Sequence, residues 1–264
     1  MRLEGKIAII VGAGQTAGDT IGNGRATALL FAREGAQVIA ADRRLESAQE
    51  TVKMIAAEGG NATAIEVDAT IESDCEALIR STVDRHQRID ILHNNVGIGG
   101  GDSGPAHLDE DTWDRILAVN LKSVILPCKH VLPVMRSQAG GSIVNISSIA
   151  AICSTPIVAY KVSKAGVNAY TQSLAVGNAK YGIRANVIMP GLMNTPMAVE
   201  SRVGLDGKTR EEVIAERDSR VPLGRKMGSA WDVANAALFL ASDDASFITG
   251  VALAVDGGSS LRMG

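Results

Sequence analysis

Seven short apolar runs, separated by stretches with helical spacing, constrain this chain more than any other feature. The runs are KIAIIV (6–11), AQVIAA (36–41), ATAIEV (62–67), IDILHN (89–94), SIVNIS (142–147), RANVIM (184–189) and VALAV (251–255). Most are continuously apolar rather than alternating, as in strands covered on both faces. Helical patterns lie between them at 25–34, 45–58, 109–137, 159–180 and 229–242. The second should stop at Gly59-Gly60, the third should bend near Pro127 and Pro133, and the last carries an N-terminal cap spacing at Ser229 and Asp232. Such alternation predicts one α/β domain over residues 1–264, a doubly wound seven-stranded parallel sheet with helices on both faces. The segment 191–228 mixes charges, Gly and Pro without a strand, the mark of a functional loop or lid.

Composition narrows the partners. With 46% apolar and 21% charged residues the 264-residue chain can bury a sizeable core. A net charge of −3 without a single-sign run argues against a nucleic-acid partner. Cys75, Cys128 and Cys153 have no metal or disulfide spacing, and His93 and His107 each stand alone, so no metal site is expected. No apolar stretch approaches the roughly 18 residues of a membrane span, and MRLEGK runs straight into a strand without a leader's apolar core, so a cytoplasmic location is expected.

Five glycines fall between Gly12 and Gly24, after the first strand and at the start of the first helix. A helix start at the carboxyl end of a parallel sheet offers free N–H groups and a positive dipole end to a phosphate. Gly12 reads as the turn glycine, and Gly22, Asn23 and Gly24 as the phosphate-binding helix start. The loop between is about six residues longer than a dinucleotide fingerprint requires. The extra residues, 13–18, should bulge over the adenosine side. Asp42 ends the second strand 18 residues after Gly24, where an acid can bond the adenosine ribose and repel a 2′-phosphate. NAD is therefore expected over NADP, although Arg43 and Arg44 stand next to Asp42.

Tyr160 and Lys164 form Y-x3-K, one turn apart on a helix face. An ammonium beside the phenol would lower a pKa that starts near about 10 and let the tyrosine exchange a proton with an alcohol or carbonyl oxygen. A serine ending the preceding strand could hold that oxygen. Ser148 lies 12 residues before Tyr160 and Ser147 lies 13 before; we take Ser148, with Ser147 the alternative, since adjacent strand residues face opposite ways.

With these elements in place the chain resembles the short-chain dehydrogenase/reductase family over essentially its full length. The resemblance rests on the glycine loop, VDAT (67–70), NNVG (94–97), VNL (119–121), NISS with YKVSK, PGLMNT (190–195) and SFITGVALAVDGG. It implies a Rossmann-type catalytic domain and a homotetramer. It implies that Asp68 and Ala69 face the adenine and that Asn94, Val96 and Gly97 line the adenosine side. Asn120 would kink its helix and hold a water in a proton relay, and Lys164 would also bind the nicotinamide ribose. Pro190, Gly191 and Thr195 would contact the nicotinamide and diphosphate. Asn23 replaces the usual Ile, and Val96 the usual Ala.

The expected function is hydride transfer between NAD and a secondary alcohol or ketone. Ser148, Tyr160, Lys164 and Asn120 would be catalytic. Ser148, Cys153, Tyr160 and Met193 would contact substrate, on a wall shared with Ile149, Ile157, Leu192 and Met197. That apolar wall suits a hydrophobic or cyclic substrate. The alternatives are an NADPH-dependent carbonyl or 3-oxoacyl-carrier-protein reductase and a catalytically silent nucleotide-sensing protein. Apolar faces within 109–137 and 159–180 could pair across two-fold axes.

Overall fold

In the computed structural model, which describes residues 1–261, all seven apolar runs are strands: β1 Ile7–Val11, β2 Gln37–Asp42, β3 Asn61–Glu66, β4 Ile91–Asn94, β5 Gly141–Ile146, β6 Ile183–Pro190 and β7 Ala252–Val255. They form one parallel sheet in the order β3-β2-β1-β4-β5-β6-β7. The order reverses between β1 and β4, and a crevice opens there at the carboxyl ends of the strands.

Alternation within each strand divides the core. Ile7, Ile9 and Val11 of β1 bury into one apolar cluster, which also takes Leu78, Val124, Val131 and Val167. Ala8 and Ile10 bury into the other, with Leu29, Phe31, Val233 and Leu238. The first face carries α3 Glu72–His86, α5 Ser123–Ser137 and α6 Ala159–Asn178; the second carries α1 Asn23–Arg33, α2 Leu45–Ala57 and α9 Ala230–Ala241. α9 opens on the expected cap: the Ser229 backbone N–H donates to Asp232 Oδ2 at 2.7 Å.

Three expectations change. The sequence reading missed α3, whose buried stripe is only Cys75, Leu78, Ile79 and Thr82 on an otherwise charged helix. The predicted helix 109–137 is interrupted at a wider π-type turn, Ala118–Lys122, joining α4 Glu110–Leu117 to α5, while Pro127 and Pro133 lie inside α5. The run Glu110–Ser137 is also long and apolar enough, with a mean hydropathy of 1.3, to cross a membrane. It is a core helix here, with Val124, Cys128, Val131 and Met135 fully buried. Segment 191–228 has no strand but holds two short helices, α7 Pro196–Val199 and α8 Arg210–Ser219.

His93 on β4 is fully buried, edge-on to Phe31 with ring centroids 6.2 Å apart, and neither ring nitrogen has a partner. Burial holds its pKa down at about 3. The unfolded chain therefore binds this proton below about pH 6.5 while the folded chain does not, so folding stability is complete above that pH and falls as pH drops towards 3. In His93→Leu, urea unfolding between pH 6 and 4 should lose about 1.4 kcal/mol of pH dependence per unit relative to the parent. An unchanged slope would show that this imidazole is not held neutral.

Candidate active site

The glycine loop and the start of α1 form the first wall of the crevice. Gly12 sits at φ +81°, and a Cβ on Gly24 would lie 1.9 Å from the Gly12 carbonyl oxygen, so the helix closes on the turn only because Gly24 lacks a side chain. α1 opens with no side-chain cap and no acid in its first turn, which leaves a positive helix end to an anion. Buried oxygens of Thr20 and Asn23 at this opening, and of Asn194 in the segment after β6, have no partner among the described residues. An uncapped helix start with orphaned polar atoms around it fits a dinucleotide diphosphate.

The extended loop departs from its expected course. Gln15 anchors it: the side-chain carbonyl accepts the Gly22 N–H at 2.9 Å, and the backbone N–H donates to Ser47 at 2.9 Å. The loop's far end reaches across to the lid instead of staying on the adenosine side. A Cβ on Gly18 would press on Glu200 and Pro196, and Asp19 lies 3.6 Å from Arg210.

Asp42 stands where β2 ends. Its carboxylate accepts the Gly14 N–H at 2.9 Å and the Arg44 N–H at 3.0 Å, while the Arg44 guanidinium bonds the Gln15 carbonyl and Arg43 is exposed. Asp68 and the buried Ala69 follow β3, and Asp68 accepts the backbone and hydroxyl of Thr70. Asn94 corrects its expectation. Its side chain turns into the core and donates to Asn145 at 2.8 Å, so only its backbone remains for the crevice. Val96 packs over Gly12, and a Cβ on Gly97 would lie 3.0 Å from the Lys164 ammonium. Pro190 ends β6, Gly191 passes against Asp256, and the buried Thr195 precedes α7.

β5 and α6 bring the reactive groups together. Ser147 is buried and donates to the Lys164 carbonyl at 2.8 Å, so Ser148 is the serine facing the crevice, within hydrogen-bonding reach of Tyr160. Lys164 is 2% exposed; its Nζ lies 5.9 Å from the Tyr160 ring centre and donates to the carbonyls of Ile146 (3.1 Å) and Val96 (3.4 Å). Burial pushes Lys164 down to about 8. Burial likewise pushes the Tyr160 phenol up, with Ser148 and then Arg202 pulling it the other way. The expected downward tuning of Tyr160 by Lys164 is therefore absent. The ammonium sits over the ring face on backbone carbonyls, and desolvation outweighs the rest.

Asn120, fully buried in the π-type turn, accepts the Ile98 N–H at 2.7 Å, donates to the Ile98 carbonyl at 2.9 Å and donates to Ser163. It staples the 95–98 loop to α6. Cys153 is half-buried beside Ser148, whereas Met193, expected on the substrate wall, is buried in the core cluster against Gly228; it packs, and does not line the crevice.

Sequence reasoning missed Asp102. α6 has no side-chain cap of its own, and Asp102 supplies one from across the crevice: Oδ1 accepts the N–H groups of Ser103, Val158 and Ala159, and Oδ2 accepts that of Tyr160 at 2.7 Å. Nothing in the GGGDSG stretch signals a cap for a helix more than 50 residues on.

The chain is similar to known proteins along nearly its whole length. A family profile described as enoyl-(acyl carrier protein) reductase matches residues 17–260. The 3-oxoacyl-[acyl-carrier-protein] reductase of Thermotoga maritima is 39% identical over 259 residues, covering 98% of this chain and 99% of its own. The 7alpha-hydroxysteroid dehydrogenase of Clostridium sardiniense is 38% identical over 264 residues, covering 98% and 95%. Among solved structures, a protein described as a short-chain dehydrogenase/reductase from Burkholderia xenovorans superposes with a TM-score of 0.93 at 44% identity, over 100% of this chain and 99% of its own. Levodione reductase superposes with a TM-score of 0.90 at 32% identity, over 99% and 100%.

An amide in place of the Asp102 carboxylate keeps one acceptor and turns an NH2 towards the other N–H groups. Asp102→Asn should lower unfolding free energy by about 1–2 kcal/mol in urea titration, as loss of a helix cap does. Unfolding at the parent midpoint would mean that the cap is idle.

Proposed function

The chain belongs to the short-chain dehydrogenase/reductase family, and we propose that it is an NAD-dependent member acting on a hydrophobic or cyclic secondary alcohol or its ketone. That it is an oxidoreductase of CH–OH groups follows from the family. One observation carries the finer reading. Tyr160, Ser148 and Lys164 meet at the carboxyl edge of the sheet, across from an uncapped helix start.

When bound, the nicotinamide accepts or supplies the hydride. The Ser148 hydroxyl orients the substrate oxygen, and Tyr160 exchanges a proton with it. Lys164 holds positive charge beneath the phenol, and Asn120 fixes the adjoining loop and completes the proton relay. Asn23 and Gly24 offer N–H groups to the diphosphate from the turn at Gly12 and Gly22. Asp68, Ala69, Val96 and Gly97 flank the adenosine; Pro190, Gly191 and Thr195 flank the nicotinamide. The lid at 191–228 closes over the substrate and excludes water. We further propose a cytoplasmic homotetramer in which α6, with Val162 and Val176 exposed, packs on a second copy.

NAD is favoured because the Asp42 carboxylate is fixed at the end of β2, where it repels a 2′-phosphate. The exposed Arg43 beside it supports the second reading, an NADPH-dependent carbonyl or 3-oxoacyl-carrier-protein reductase. Intact Ser148, Tyr160 and Lys164 speak against a silent nucleotide sensor.

Titration calorimetry should show NADH binding more tightly than NADPH, with Asp42→Ala narrowing the gap; tighter NADPH binding would favour the second reading. Tyr160→Phe should cut turnover by about 10²–10⁴-fold with dinucleotide affinity retained, and unchanged turnover would remove Tyr160 from its role. Because burial raises the Tyr160 pKa, the protonated form that reduces ketones persists through neutral pH. Ketone reduction should fall, and alcohol oxidation rise, as pH climbs through the alkaline range. Profiles of the opposite sense would show a phenol already ionised at neutrality.

A further inference from the structure

Segment 200–208 and α8 enclose a cavity of about 240 Å³ within the lid, lined by the cations Arg202, Lys208, Arg217 and Arg220 and the acids Asp206 and Glu216. Glu216 holds Lys208 at 2.6 Å and also pairs with Arg220. Among the described residues, neither Arg202 nor Arg217 has a carboxylate in ion-pair contact: the lid's ion pairs engage Lys208, Arg210 and Arg220. Arg202 spends one nitrogen on the Ala198 carbonyl at 2.7 Å and the Ser201 hydroxyl at 3.3 Å. The half-buried Arg217 meets the Met227 sulfur at 3.3 Å, a weak acceptor for a guanidinium. Burial, then the charges of Arg202 and Arg220, push Arg217 down to about 10, with Glu216 and Asp218 acting the other way.

A half-buried guanidinium with no carboxylate in contact, set near other cations, gains from an anion that reaches it. The fork of an arginine matches a carboxylate, phosphate or sulfonate. Arg202 ends the turn Glu200–Arg202 that follows α7, and the same turn packs on the glycine loop, where a Cβ on Gly18 would press on Glu200 and Pro196.

We propose that Arg202 and Arg217 bind an anionic group on the far end of the substrate, so that the substrate is an oxo- or hydroxy-compound with an apolar body and an acidic tail. This rests on the hydride-transfer reading above and refines it. The same chemistry would also accept a free inorganic anion, and kinetics separates the two. A ladder of linear methyl-ketone carboxylates of increasing chain length, each beside its methyl ester, is reduced with NADH. At one length the carboxylate should exceed its ester in kcat/KM by about 10- to 100-fold, the worth of a charge-assisted hydrogen-bonded pair. Arg217→Met and Arg202→Gln should each remove most of that preference by raising KM for the carboxylate and not for its ester. Arg202 is exposed, so its variant keeps the fold even should Arg217→Met not. Inorganic phosphate should compete with the carboxylate and not with the ester. Equal use of carboxylate and ester at every length overturns the proposal while leaving the hydride-transfer reading intact. So does a preference that survives both variants, or a phosphate effect independent of the substrate's charge, which marks a site for free anions. Absence of turnover with every ketone would instead count against the underlying reading.

Discussion

Burying an ammonium that has no carboxylate partner is the constraint on which this site rests. Lys164 is 2% exposed, and its Nζ bonds to main-chain carbonyls at the end of β5 and in the loop after β4. Those carbonyls are adjacent only because the strand order places β4 beside β5, one strand past the reversal of the sheet. The lysine therefore reports on the whole topology. A slip in either strand would leave a charge in an apolar setting, at a cost of several kcal/mol. Gly97 completes the arrangement, since a Cβ there would press on the ammonium.

Around this buried charge, three loops are fastened to α6 or to one another. Asn120 ties Ile98 to Ser163, and Asp102 ties the following turn to the first N–H groups of α6. The glycine loop is tied to α2 through Gln15 and Ser47, to the end of β2 through Asp42, and to segment 191–228 through Asp19 and Gly18. The region that would receive the diphosphate and segment 191–228 are thus in direct contact. Buried networks of this kind are rigid when every member is satisfied. The oxygens of Thr20, Asn23 and Asn194 that lack partners mark where the network is open to a ligand.

Much of this was legible in the sequence, and the reasons differ by element. The seven strands announced themselves because parallel strands buried on both faces read as continuous apolar runs. Tyr160, Lys164 and Ser148 were legible because helical spacing and strand alternation fix which residues share a face. α3 was not, since its buried stripe is four residues, two of them Cys75 and Thr82. The break at Ala118–Lys122 escaped residue-level reading because prolines at 127 and 133 are the louder signal, although the family resemblance pointed to Asn120. Asp102, Gln15 and the core-facing side chain of Asn94 depend on pairings between distant segments, and no local pattern encodes those. The upward shift of Tyr160 was missed for the same reason: proximity of a cation is readable from spacing, whereas the extent of burial is not.

The most direct test is a crystal structure of this chain with the oxidised dinucleotide and an unreactive alcohol analogue. The diphosphate should lie on the N–H groups at the start of α1. The reactive nicotinamide carbon should lie about 3–3.5 Å from the analogue's carbinol position, with the analogue's oxygen bonded to both Ser148 and Tyr160. A dinucleotide whose nicotinamide ring lies away from Tyr160, or whose diphosphate avoids the α1 start, would contradict the assignment of this crevice.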